Sequence, residues 1–172
     1  MKKNQDLYGL FTEELLEMYS SEQQIINSLP KLIQIASLPD LKNALAKHLD
    51  ETKKHLKRIE LIFAELKIKP SQKICEVMQG LIKEAEELTS AANPSATRDA
   101  AIITAAQKVE HYEISTYGSL YSFAKHLDLS DGVLDLLSET LDEEKDANDK
   151  LTDIADGTFF ATGVNTKAAK GY

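Results

Sequence analysis

Four stretches of this sequence put acidic side chains, and in one case imidazoles, on helix faces that should be apolar. Each residue advances about 100° around a helix, so every acid can be placed against its own apolar stripe. Glu22 falls inside the arc of Met18, Ile25 and Leu29, and His48, Glu51 and His55 share a narrow sector beside Leu45 and Ile59. Glu113 falls near the middle of a stripe marked by Val109 and Leu120, with Glu110 and Tyr117 on its shoulder. Glu144 lies among Leu137, Leu141 and Leu151, with Glu143 at one edge. A single inward glutamate is ordinarily an edge residue, and a single inward histidine a hydrogen-bonded core residue. Acids on four helices must instead pair, take up protons or bind a cation, because an unpaired buried carboxylate is costly. Lysines and arginines sit mainly on the outer faces. That leaves a dication as the natural partner, and carboxylate oxygens with imidazole nitrogens suit iron, manganese or zinc.

The elements that must position these groups read as helices. Leu7, Leu10, Phe11, Leu15, Met18, Ile25, Leu29, Leu32 and Ile33 recur at spacings of three and four, the signature of an amphipathic helix. Pro30 predicts a kink or local distortion within it. Ser37-Leu38-Pro39-Asp40 reads as a tight break, followed by a second helix through Leu41, Leu45, Leu49, Leu56, Ile59, Ile62, Phe63 and Leu66. A shorter helix carries Ile74, Val77, Met78, Leu81, Ile82, Ala85 and Leu88 and ends at Asn93-Pro94-Ser95. The third long helix runs from about Ala96 to Leu127, and the fourth through Val133, Leu137, Leu141, Leu151 and Ile154, after a turn at Asp128 to Asp131. The period is lost from Gly157, so residues 157–172 read as an irregular, extended or partly disordered tail after one domain over 1–156. The fold class is therefore all-α: two antiparallel hairpins forming a ferritin-like four-helix bundle, with an additional short helix in the crossover connection.

Register supports convergence. Glu22 precedes the 37–39 break by about as far as Glu51 follows it, and Glu113 and Glu144 flank the 128–130 break in the same way. Antiparallel hairpins bring each pair to one level. A short echo links Leu49-Asp50-Glu51-Thr52-Lys53 with Leu141-Asp142-Glu143-Glu144-Lys145.

Bulk properties narrow the function classes. A net charge of -8 over 172 residues argues against a nucleic-acid partner, which needs a basic face. No apolar run reaches the roughly 18 residues needed to span a bilayer, and the N-terminus lacks the apolar core of a secretory signal. The lone Cys75 excludes an internal disulfide, fits a reducing compartment and reads as a small buried apolar side chain. A cytoplasmic location with no membrane partner is expected.

The ligand pattern departs from the usual di-iron bundle, which carries Glu-x-x-His on two helices. The fourth helix has no histidine, and Lys54 stands three residues after Glu51, so Glu110-x-x-Glu113 is the candidate replacement. His48 and His55 compete as the nitrogen ligand, and His111 is a candidate supporting partner.

Several blocks carry a wider resemblance: Met18-Tyr19-Ser20-Ser21-Glu22-Gln23-Gln24, His48-Leu49-Asp50-Glu51-Thr52, Gly80-Leu81-Ile82-Lys83-Glu84-Ala85, Gln107-Lys108-Val109-Glu110-His111-Tyr112-Glu113-Ile114 and Thr140-Leu141-Asp142-Glu143-Glu144-Lys145. In these the chain resembles the YciE/YciF family of ferritin-like stress proteins over all but the tail. The resemblance implies a dinuclear metal centre, a homodimer and a link to general stress responses. Glu22, Glu51, Glu110, Glu113 and Glu144 match acidic positions of the family's motifs. His48 matches a family position, His55 stands where the family varies, and Asn148 takes a place where aspartate is common. The leading expectation is a two-metal protein, iron first and manganese or zinc next, that oxidises ferrous iron or consumes peroxide. Tyr19, Tyr112 and Tyr117 are candidates for relaying an electron. The alternative is a stress-induced structural or interaction protein in which metal only stabilises the bundle.

Overall fold

The computed structural model describes residues 6–71, 73–90, 95–159 and 161–171. It is mainly helical: α1 (Leu7–Ile35), α2 (Pro39–Leu66), α3 (Glu76–Ser90), α4 (Ala96–His126), α5 (Asp131–Asp156) and a short α6 (Val164–Ala169). Local chemistry sets the boundaries. Asp6, Ser95 and Ser130 accept from the backbone N–H groups of Gly9, Arg98 and Val133, capping α1, α4 and α5, where helix donors otherwise lack partners. Pro39 opens α2 where its missing N–H is harmless. Lys67, at φ 56°, ends α2 in the left-handed region. The first helix continues past Pro30 to Ile35. The expected break at Asn93-Pro94 lies outside the described residues.

The four long helices contact one another in a ring, α1 on α2, α2 on α5, α5 on α4 and α4 on α1. The connecting helix α3 covers α4 and α1 from outside this ring. Both ends of the ring are tied. At one, the buried Asp99 of α4 accepts from the backbone N–H groups of Ser37 and Leu38 at 2.7 and 2.9 Å, and Arg98 donates to the Ile35 carbonyl at 2.5 Å. At the other, Ser130 donates to the Glu65 carboxylate. These contacts fix the height of the α4–α5 pair against the α1–α2 pair.

Apolar packing falls into two clusters. One joins Ile25, Leu29, Leu41, Leu45, Ile102, Ala106, Leu151 and Ile154 towards the 36–38 turn. The other joins Phe11, Leu15, Met18, Ile59, Ile62, Phe63, Tyr117, Leu120 and Leu137 towards the opposite end. Cys75 is buried, as expected, but precedes α3 rather than lying within it; its sulfur accepts from the Met78 N–H and lies 3.4 Å from the Tyr112 hydroxyl.

The tail differs from the irregular segment that loss of period predicts. Gly157–Thr158 and Ala161–Thr162 pair as a minimal antiparallel ladder, and α6 then packs on α4 and α5 with Val164 buried in the first apolar cluster. Glycine makes this return possible. Gly157 has φ 89°, and a Cβ on Gly163 would sit 2.2 Å from the Asp156 carbonyl carbon. A helix as short as α6 gives helical period too little length to stand out in the sequence.

Replacing Asp99 with alanine leaves two turn N–H groups without their acceptor. Hydrogen bonds to charged groups are worth about 1.5–3 kcal/mol, so Asp99→Ala is expected to lower Tm by roughly 5–10 °C. Differential scanning calorimetry checks this, and an unchanged Tm would contradict the tie.

Candidate metal centre

Between the two apolar clusters lies a polar layer, one segment from each helix of the ring. Glu22 comes from α1, His48 and His55 from α2, Glu110 and Glu113 from α4, and Glu144 from α5. Their relative exposures run from 0% to 6%, so none is a surface acid. Two groups emerge, each with one possible ligand atom per residue and all those atoms within 4.8 Å of one another: His48, Glu110, Glu113 and Glu144, and then Glu22, His55 and Glu144. Glu144 belongs to both and sits 2.8 Å from Nδ1 of His55 through Oε1 and 3.9 Å from Nδ1 of His48 through Oε2. His48 Nε2 lies 3.4 Å from Glu110 and His55 Nδ1 3.8 Å from Glu22.

Proximity here does not amount to hydrogen bonding. Among the described residues, nearly every buried side-chain polar atom without a hydrogen-bond partner belongs to this layer: Glu22 Oε2, both nitrogens of His48, His55 Nδ1, Glu110 Oε2 and both oxygens of Glu113 and Glu144. Arg98 Nε is the exception. Even the 2.8 Å approach of His55 Nδ1 to Glu144 lacks hydrogen-bond alignment. Native interiors rarely strand polar atoms, and a cluster of them points to a missing ion or water.

The remaining nitrogen of His55 is different. Nε2 lies 2.8 Å from Glu143, whose carboxylate also takes two bonds from Arg58 at 2.5 and 3.3 Å. Arg58 further reaches Thr140 and Glu139. A metal-binding histidine characteristically donates its other N–H to a carboxylate, which fixes the tautomer and aims the free nitrogen. Tyr117, fully buried, donates from its hydroxyl to Glu22 Oε1 and leaves Oε2 free.

Comparison with known proteins places the chain in a family. Residues 6–169 match the family described as a domain of unknown function, DUF892. The chain belongs to this family. The chain is also 41% identical to Protein YciF of Escherichia coli strain K12 over 160 residues, 92% of this chain and 93% of that protein. The crystal structure of the E. coli stress protein YciF superposes with a TM-score of 0.83 at 40% identity, covering 87% of this chain and 94% of that one. YcfI of Rhodopseudomonas palustris, described as a candidate structural protein, gives 0.85 at 41% identity, with coverages of 90% and 98%.

Within this DUF892 member the sequence-based candidates divide. The structure gathers Glu22, His48, His55, Glu110, Glu113 and Glu144 into the two groups. His55 is buried in the layer alongside His48, and each histidine falls in a different one of the two groups. Glu143 is instead held by Arg58 and His55 at the edge, with its side chain 23% exposed. Glu51 is drawn 2.5 Å from Lys47 and lines a cleft with His48, Glu110 and Asp146. His111 is exposed and bonds its own helix backbone at Gln107, so it supports nothing in the layer. Of the three candidate tyrosines, Tyr117 hydrogen-bonds a layer carboxylate, whereas Tyr19 reaches Glu60 and Tyr112 reaches Cys75. Arg58, which with Ile59 and Glu60 belongs to the family resemblance, is the residue to which the sequence gives no role at the site. The one available signal is its three-residue offset from His55, which places the two on one helix face.

Electrostatics follow from burial. Desolvation pushes Glu22 up to about 8, despite His55 nearby, and pushes Glu110 and Glu113 well above the carboxylate range, with Glu144 adding to both. Burial also opposes ionisation of Glu143 and Glu144, but Arg58 brings Glu143 down to about 2, and His55 with His48 holds Glu144 below its usual value. Burial works against a charged His55, yet Glu144, Glu22 and Glu143 together raise it to about 9. His48 is lowered, mainly by burial.

The signs give a pH profile for chelator-treated protein. Glu22 keeps its proton in the fold to about 8 but loses it near 4.5 when unfolded, so its contribution is lost as pH rises between them. Glu110 and Glu113 act in the same direction, as does His55 between 6.5 and about 9. Glu143 contributes stability that is lost only as pH falls from 4.5 towards about 2. His48 opposes the trend, since its lowered value costs stability as pH falls below 6.5. The groups losing stability on the alkaline side dominate. Thermal melts of metal-free protein should peak at about pH 5 and fall steadily to about pH 8, and a profile rising to neutrality would contradict the assignment.

Proposed function

We propose that this chain is a dimetal-carboxylate protein of ferritin-like four-helix plan. In this reading Glu22, His48, His55, Glu110, Glu113 and Glu144 hold two divalent ions, iron first and manganese or zinc next, and the protein oxidises ferrous iron or consumes peroxide as part of a stress response. The observation that carries it is the set of stranded buried atoms in one layer. The donor set fits the charge as well as the chemistry. Four carboxylates balance two dications, and mixed oxygen and nitrogen donors suit borderline metals. Glu144, common to both groups, would help to hold both ions.

A bound pair of iron or manganese ions would supply one-electron chemistry and an electrophilic site for an oxygen-containing reactant, and zinc only the latter. The chain supplies the rest. Arg58 keeps Glu143 ionised, and Glu143 holds the Nε2 proton of His55 so that Nδ1 faces the layer. Tyr117 fixes one oxygen of Glu22 and leaves the other to a cation. The apolar clusters above and below exclude water from the layer. The cleft between α2 and α5 carries charged groups of both signs, Glu51 and Asp146 with Lys47 and Lys150, and gives cations a hydrated approach to His48 and Glu110. We place the working unit in a reducing compartment, the cytoplasm, which suits the lone Cys75, and take it to be a homodimer, as the family resemblance implies. No helix among the described residues is long and apolar enough to cross a membrane.

The description of YcfI as a candidate structural protein favours a second reading, in which the ions only stabilise the fold. Glu113→Gln separates acids kept for chemistry from acids kept for structure. Removing a buried carboxyl that burial forces to stay protonated in the fold is expected to raise the stability of metal-free protein at about pH 8 by roughly 1–3 kcal/mol. The same change should abolish binding of one ion and the reaction of the ferrous protein with peroxide. Stopped-flow absorbance and calorimetry read the two effects. If wild type binds metal and gains Tm but never turns over peroxide or ferrous iron, the structural reading stands and the catalytic one falls.

A further inference from the structure

The connecting helix α3 closes a space over the ring that the metal ligands do not use. Between α1, α3 and α4 lies a cavity of about 40 Å³ with walls of Leu29, Ile82, Ala85, Ala106 and Val109. Its inner end is made by His48 and Glu110, and its outer end by Lys31 and Glu86, whose exposed side chains pair at 2.9 Å between α1 and α3. A site for one water needs about 10–15 Å³ and two to four polar partners. This cavity has the room, but along its length it offers carbon. Of the polar side chains in its lining, Lys31 and Glu86 pair with each other and Ser28 donates to the Ile25 carbonyl, whereas both His48 nitrogens and Glu110 Oε2 at the inner end are unpartnered. A cation would shed its hydration against an apolar wall, which is unfavourable. It has a separate approach, because the cleft on the α2–α5 side also ends at His48 and Glu110 and, beside apolar residues such as Leu45 and Leu151, carries four further charged side chains, Lys47, Glu51, Asp146 and Lys150.

We propose that the α1–α3–α4 cavity is a binding chamber for a small uncharged reactant of dioxygen's size and polarity, served from the α3 side, while cations reach the same layer from the α2–α5 side. The existence of the chamber is independent of the dimetal reading, but its purpose rests on that reading. Hydrogen peroxide, with two O–H groups to satisfy, is poorly matched to these walls and is assigned to the polar side.

Xenon is the probe for the chamber, since dry apolar cavities bind it. Metal-free wild-type protein is expected to show one saturable xenon site by xenon NMR, and xenon-pressurised crystals should place it between Ala85 and Ala106. Ala106→Leu and, from the other wall, Ala85→Leu should each remove that site. Because an added side chain in a packed core can destabilise, both variants are first checked for wild-type helical content, and the one that retains it is carried forward. Loaded with ferrous iron, that variant should react with dioxygen severalfold more slowly while its metal uptake and its rate with hydrogen peroxide stay unchanged. Absence of xenon from wild-type protein overturns the chamber. An unchanged dioxygen rate after xenon binding is lost, or equal slowing with peroxide, overturns its selectivity. If wild-type protein takes up no metal, the dimetal reading fails, and xenon occupancy alone decides whether the chamber exists.

Discussion

The fold is organised around the cost of burying like charges. Glu22, Glu110, Glu113 and Glu144 meet in one layer with almost no exposure, and they have neither lysine nor arginine among them. Several of their oxygens accept nothing. Coulomb repulsion and desolvation both act against such a layer, and protonation relieves them only in part, as the raised values of Glu22, Glu110 and Glu113 indicate. The two apolar clusters on either side must therefore hold the layer closed against its own repulsion. They do so from all four helices, with Met18 and Ile25 flanking Glu22, Leu45 and Ile59 flanking the histidines, Ala106 and Tyr117 flanking Glu110 and Glu113, and Leu137 and Leu151 flanking Glu144.

Closing the layer also requires register, because a slip of one helical turn would move a carboxylate from the layer into an apolar cluster. The Asp99 and Arg98 contacts to the 35–38 turn and the Ser130 contact to Glu65 set that register at the two ends. Within the layer the chain of Arg58, Glu143 and His55 sets orientation. Position and aim thus come from different residues, and only the second set lies close enough to influence chemistry directly.

Much of this is legible in the sequence because helical period converts spacing into direction. The inward placement of Glu22, Glu113 and Glu144 needs nothing more than their offsets from Met18, Val109 and Leu137. What the sequence leaves hidden has a common cause. Arg58 and Glu143 find each other across two helices, and Glu51 turns to Lys47, so their roles depend on side-chain rotamers that period cannot supply. His111 departs from expectation for a related reason, since a residue beside the stripe can face solvent with a rotation of a few tens of degrees. The order of the tail is hidden because α6 is held by the bundle it covers, through Val164, rather than by a pattern of its own.

Anomalous scattering from crystals grown with ferrous or manganous ions, collected on either side of the metal's absorption edge, tests the central claim most directly. The account predicts two strong peaks per chain, one among His48, Glu110, Glu113 and Glu144 and one among Glu22, His55 and Glu144. Peaks confined to surface acids, or none at all from protein that remains folded, would contradict it and leave the buried carboxylates as protonated partners of one another.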